Sequence, residues 1–177
     1  AETFHATLEA FVEKEIFSRL SGTEKRLLGA IAVFREPVPI QAIHQIEGSV
    51  DLLDELVEKG LARQSDAENF DVHDLVREFL LRSMEHEMKT DLHASAVKWY
   101  RGKMDDAADR IEFIHHLSQT GDEEGLAEVL LTEGHGLVSS GHTELLSILN
   151  SLESSDFDTK SRGLIRELKG DILTIQG

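Results

Sequence analysis

The sequence predicts a mostly α-helical protein: a winged helix-turn-helix followed by antiparallel helical hairpins. Three observations carry that expectation. Prolines occur only at Pro37 and Pro39, so long helices are permitted almost everywhere else. The stretch "LARQSDAENFDV" at 61–72 places two short extended pieces around a polar centre, which reads as a hairpin between helical segments. The second half carries a faint 20-residue period, in which Leu117, Gly121, Leu126 and Val129 are answered by Leu137, Gly141, Leu146 and Leu149.

The elements follow in order. Phe4, Leu8, Phe11/Val12, Ile16 and Leu20 recur at helical spacing and predict a first helix. Ser21 and Glu24 have capping-box spacing ahead of Leu27, Leu28, Ile31 and Phe34, a second helix. "REPVP" at 35–39 breaks it, and Pro39 suits the first position of a third helix with Ile40, Ile43 and Ile46 on one face. Gly48-Ser49 turns the chain into a fourth helix bearing Leu52, Leu53, Leu56 and Val57, closed by Lys59-Gly60. After the hairpin, Val72, Leu75, Val76, Phe79 and Leu80 form the apolar stripe of a helix starting at His73. Three helices, a hairpin and a helix are the order of a winged helix, assigned to residues 1–87. From Met88 to Gly177 the pattern is helical throughout. In each copy of the 20-residue period a glycine stops one helix and a polar pair starts the next, as stacked helical hairpins require. Ser154-Ser155 breaks the pattern before a last helix with Leu164, Ile165, Leu168, Ile172 and Ile175.

Composition narrows the function. With 34 acidic against 18 basic side chains the formal charge is −16, and the excess is shared by both halves. Such a chain repels nucleic-acid phosphates unless a basic patch is segregated. The helix from Ser49 to Lys59 would be the recognition helix of a DNA-binding winged helix. It carries Asp51, Asp54, Glu55 and Glu58 against Lys59, so protein packing is favoured over DNA binding. The absence of cysteine excludes disulfides and thiolate metal sites and fits a cytoplasmic location. No apolar stretch has the length of a membrane span. The chain begins at Ala1 and stops at Gln176-Gly177 directly after a helical pattern, and reads as a piece of a longer protein.

No P-loop, G-x-S-x-G or H-E-x-x-H motif is present, so the chain by itself is not expected to be an enzyme, and no catalytic residue is assigned. His115-His116 looks like a metal pair, but neighbouring helical residues point about 100° apart, and no metal is expected there. Trp99-Tyr100 reads as packing rather than as a base-stacking platform. His73-Asp74 remains. It stands at a helix N-terminus, where free N–H groups and the helix dipole favour anions. One reading is structural: Asp74 caps the helix or sits in its first turn and pairs with Arg77 three residues on. The other is an anion contact, in which a neutral imidazole donates its N–H to a phosphate oxygen. The residues alone leave both open.

"VHDLVREFLL" at 72–81 resembles the MHD motif that ends the winged-helix domain of STAND-class ATPases, which include NB-ARC and MalT-like regulators. His73 matches the motif histidine and Asp74 follows it, while Val72 replaces the usual methionine. "RLSGTEKRLLGAIAVFREPVPIQAI" (19–43) and "LLDELVEKGLARQ" (52–64) look like earlier parts of the same winged helix. "IHHLSQTGDEEGLAEVLLTEGHGLVSSGHTELLSILNSL" (114–152) resembles the helical hairpins that follow it in MalT-like members. "ELKGDILTIQG" (167–177) looks like the first helix of a tetratricopeptide repeat. The resemblance implies a winged-helix domain at 1–87 and the start of a tetratricopeptide-like sensor arm at 88–177. It further implies that His73 contacts the β-phosphate of ADP in the intact protein and locks the inactive state. ADP or ATP would then be cofactors of the whole protein but not of this piece. The implied partners are the nucleotide-binding core of the same protein and a protein or small-molecule inducer on the arm. The alternatives are a DNA-binding transcriptional regulator and an interaction scaffold with no nucleotide link.

Overall fold

Ser21 starts the first described helix as its spacing predicts. In the computed structural model, α1 spans Gly22–Ala32. The Ser21 hydroxyl accepts from the Glu24 N–H at 3.2 Å, and the Glu24 carboxylate accepts from the Ser21 N–H at 2.7 Å. Lys59 closes on the same carboxylate at 2.5 Å. The Lys59 hydrogen bond, followed by those from Ser21, holds the Glu24 carboxyl at about 2. Because that value is depressed, the stabilisation is complete above the usual glutamate range and is lost as pH falls from about 4.5 toward 2. Ser21→Ala removes the cap and is expected to lower stability by about 1 kcal/mol, read by urea unfolding followed by circular dichroism.

The structure describes residues 17–152 and 156–177. The predicted first helix therefore lies outside the described residues as far as Ile16, as does the Ser154-Ser155 break. The described end of that helix, Phe17–Arg19, is a 3-10 turn rather than α-helix. The chain divides into two compact units, Ala1–Leu92 and His93–Gly177. No helix among the described residues is long and apolar enough to cross a membrane.

In the first unit a 3-10 turn at Phe17–Arg19 precedes α1. The order then runs β1 (Val38–Pro39), α2 (Ile40–Glu47), α3 (Leu53–Glu58), β2 (Arg63–Gln64), β3 (Asn69–Asp71) and α4 (Asp74–Ser83). The hairpin expected at 61–72 is present: Arg63 pairs with Asp71 and Gln64 with Phe70. Asp66 closes its turn by accepting from the Glu68 and Asn69 N–H groups, a local device of turn aspartates. "REPVP" is more than a break. Val38 and Pro39 form a strand that pairs antiparallel with Phe70 and Asn69, giving the sheet order β1-β3-β2. Pro39 therefore ends a strand and precedes helix α2, whose first residue is Ile40, rather than occupying the first helical position. Its missing N–H is tolerated because β1 is an edge strand.

Gly48 and Gly60 have φ of +75° and +69°, the left-handed conformation that glycine adopts without a Cβ clash. At Gly60 the turn is sealed by Leu61 N–H donating to the Leu56 carbonyl at 2.9 Å. α3 is shorter than the predicted 49–59 helix because Val50 to Leu52 form a turn leading into it. Leu28, Ile31, Phe34, Ile43, Leu56 and Val72 are buried and form this unit's core.

The second unit contains the C-terminal part of α5 (His86–Arg101), then α6 (Ala107–Ser118), α7 (Glu123–Ser139), α8 (Leu145–Ser151) and α9 (Thr159–Gln176). α7 packs against both α6 and α9, and α8 touches the same two helices, as antiparallel hairpins do. Asp106, Asp122 and Asp158 cap α6, α7 and α9 by accepting backbone N–H bonds. Gly121 and Gly141, the glycines of the repeat, both have positive φ. Beyond them the register slips: Leu126 and Leu130 are buried in one copy, but Leu145 and Leu149 in the other. α7 starts two residues after its glycine and α8 four residues after, which shifts the buried face. In α9, Ile165, Leu168 and Ile172 are buried, whereas Ile175 is exposed.

Candidate functional site

The β3–α4 junction is built around Asp71. This carboxylate is buried between two arginines. Arg63 donates to its Oδ2 at 2.5 Å, Arg77 donates to its Oδ1, and the Val72 N–H donates to Oδ1 at 2.8 Å. Burial pushes the Asp71 carboxyl up. The Arg63 and Val72 hydrogen bonds, with the charges of Arg77 and Arg63, outweigh that and hold it below the usual range. Arg77 also donates to the Ala32 carbonyl at 3.0 Å, tying α4 to the end of α1. The Asp74–Arg77 pairing expected from sequence is thus replaced by Arg77–Asp71. Asp71 leaves the sheet beside Arg77, whereas exposed Asp74 lies in the first turn and its charge acts on Arg63.

His73 stands between these anchors. It is the N-cap of α4 with extended backbone, and it is exposed. Its Nδ1 accepts a long bond, 3.4 Å, from the Leu75 N–H. An accepting Nδ1 leaves the proton of the neutral ring on Nε2, so the outer nitrogen is a donor. The side chain expected to meet an anion is therefore the capping group itself, with Asp74 one step inside the helix. A groove of about 480 Å³ lies elsewhere in this unit, lined by Phe17, Lys25, Phe79, Leu80, Met84 and Met88, and does not include His73.

The exposed face of α3 shows Asp54, Glu55 and Glu58, with Asp51 in the turn before it. Lys59 is engaged by Glu24 and also lies 3.7 Å from Glu55. This surface remains acidic, which opposes a phosphate backbone.

The structure brings together a second group that the sequence reading did not assemble. His116 is fully buried on α6 and His115 is half-buried, yet the two rings meet edge to face with centroids 5.2 Å apart, so the divergence expected of adjacent helical residues is not what the structure shows. His93 of α5 faces them. Its Nδ1 lies 2.9 Å from the Nδ1 of His116, and one ligand nitrogen from each of the three histidines falls within 4.8 Å of the others. Glu112, one turn before His116, places its Oε2 4.0 Å from the His116 Nε2. Tyr100 stacks on the His116 ring with centroids 5.6 Å apart. The available signal was positional: His93 shares the buried stripe of α5 with Ala96, Val97 and Tyr100. Trp99 is only partly covered and has the Lys103 ammonium 4.2 Å from its ring centre, whereas Tyr100 is buried.

No protein-family model matches the chain, and no curated protein matches it in sequence. Among solved structures it is similar to the crystal structure of a Signal Transduction ATPase with Numerous Domains (STAND) protein with a tetratricopeptide repeat sensor from Pyrococcus horikoshii. The TM-score is 0.68 at 20% sequence identity, over 93% of this chain and 26% of that one. The chain spans about a quarter of that protein's length, and the likeness shows that the two share a mostly helical fold over this stretch.

Proposed function

We propose that the chain is a regulatory piece of a STAND-class signal-transduction ATPase. Residues 1–87 form a winged helix that reads the nucleotide, and 88–177 begin a tetratricopeptide-like sensor arm. The observation that carries this assignment is His73: an exposed N-cap, with its outer nitrogen a donor, in a Val-His-Asp sequence at a strand–helix junction. The fold likeness to a STAND protein over 93% of the chain supports it. Asp71 and Arg77 act as positioning residues, clamping the backbone two residues before and four residues after His73. In the whole protein the nucleotide core would present ADP to His73, and ligand or partner binding to the arm would shift the balance between closed and open states. Such coupling requires different contacts to the nucleotide in the two states.

The test uses the protein that joins this chain to its nucleotide-binding core. One hydrogen bond to a charged phosphate contributes about 1.5–3 kcal/mol, so His73→Ala should speed ADP release roughly tenfold or more and raise basal activity. Unchanged ADP retention together with unchanged basal activity would sink the role.

A further inference from the structure

We propose that His93, His115 and His116 form a binding site for a zinc ion that braces α5 against α6 in the helical unit. The proposal is independent of the nucleotide reading, since all three residues lie in the second unit and His73 in the first. Neutral imidazole is the commonest protein ligand for zinc, and three histidines with a water complete a tetrahedral shell. At zinc–nitrogen distances of about 2.0–2.1 Å, ligand nitrogens stand roughly 3.3 Å apart. The His93 and His116 Nδ1 atoms, now 2.9 Å apart, need to separate by only a few tenths of an ångström. One nitrogen from each of the three rings lies within 4.8 Å of the others. The adjustment there falls to His115, the half-buried member, whose partly open side also gives the ion its path and the water its place.

The surroundings fit a metal better than they fit a bare hydrogen bond. His116 turns one nitrogen toward His93, and the buried Glu112 carboxylate lies 4.0 Å from the other, beyond hydrogen-bond length but close enough to reach it by a small side-chain shift. Once that gap closes on metal binding, Glu112 would supply the outer acceptor of a carboxylate–histidine–metal arrangement, which fixes the ring's tautomer and raises its basicity. The stacked Tyr100 ring holds the plane of His116, and His93 and His115 meet edge to face with centroids 5.8 Å apart. The Nδ1–Nδ1 contact requires a proton on one of the two atoms. With His116 protonated on Nε2 toward Glu112, that proton belongs to His93. Binding moves it to the His93 Nε2, so the neutral rings keep their protons and both Nδ1 lone pairs face the ion.

The experiment titrates the full 177-residue chain, stripped with a chelator, first with zinc and then with cobalt(II) as a spectroscopic probe. The expected result is one ion per chain, micromolar or tighter. Tetrahedral cobalt absorption in the visible should appear, and the melting temperature should rise by about 5–10 °C at a hundredfold excess over Kd. His115→Ala, at the half-buried position, should keep the fold and weaken binding at least tenfold. His93→Gln, which retains a polar group in the buried space, should abolish the cobalt bands. Glu112→Gln should keep the stoichiometry while weakening affinity about tenfold, as loss of an outer partner does. Zinc binding that is absent, or equally tight in folded wild type, His115→Ala and His93→Gln, would overturn the site.

Discussion

Asp71→Ala is expected to destabilise the first unit by about 2–3 kcal/mol, read by urea unfolding of the full chain followed by circular dichroism. The cost comes from what the carboxylate leaves behind. Arg77, with its side chain 16% exposed, keeps only the Ala32 carbonyl as acceptor among the described residues, and the fully buried Val72 loses the partner of its N–H. Arg63, 59% exposed, recovers hydration, which holds the figure below that of a fully buried pair. Asp71→Asn should fall between wild type and the alanine variant, because an amide oxygen can still accept from Val72. The pH dependence has a definite sign. The folded carboxyl is held below its usual value, so its stabilisation is complete above about pH 4 and is lost as pH falls through the folded pKa. Glu24 titrates in the same direction, so acid should loosen the first unit. In Asp71→Ala the acid transition should be shallower. If Asp71 also positions His73, the alanine variant of the whole protein should release ADP faster even where it remains folded.

Leu168→Ala should destabilise the helical unit by about 3 kcal/mol, the size expected when a fully buried leucine leaves a cavity. The partner of this leucine is a glycine. A Cβ added at Gly134 of α7 would lie 2.7 Å from the Leu168 Cδ1, so Leu168 of α9 packs where α7 has no side chain. Gly134→Val alone forces Leu168 from its place and is expected to cost about 2 kcal/mol through overpacking. Combined, the substitutions exchange three carbons on one helix for three on the other. The double variant should be more stable than Leu168→Ala and fall short of additive destabilisation by about 3 kcal/mol. Trp99, the chain's single tryptophan, lies in this unit, so its fluorescence follows unfolding there separately from the first unit. Strict additivity would mean that the two positions do not share space.

Helix starts and stops were legible because their causes are local. The Ser21–Glu24 box acts across three residues, and Gly60, Gly121 and Gly141 satisfy a steric need within one turn. The Asp66 turn and the apolar stripe of α4 belong to the same class. His73 could be placed at a helix N-terminus for the same reason, although its role as the N-cap itself required its backbone geometry. What sequence could not supply lies farther along the chain. The third strand exists because Val38 finds Phe70. Arg77 passes over Asp74 because folding places Asp71 and the Ala32 carbonyl, 45 residues away, within reach. Helical geometry alone suggested that His115 and His116 point apart, whereas their rings meet at 5.2 Å, and the approach of His93 across 23 residues depends on how α5 and α6 pack. Amino-acid sequence alone determined the helical class, the caps and turns, the acidic surface and the position of His73, all set by periodicity, composition or bonds within a few residues. Tertiary structure decided which charges pair and which histidines meet, because packing brings together groups that are distant along the chain.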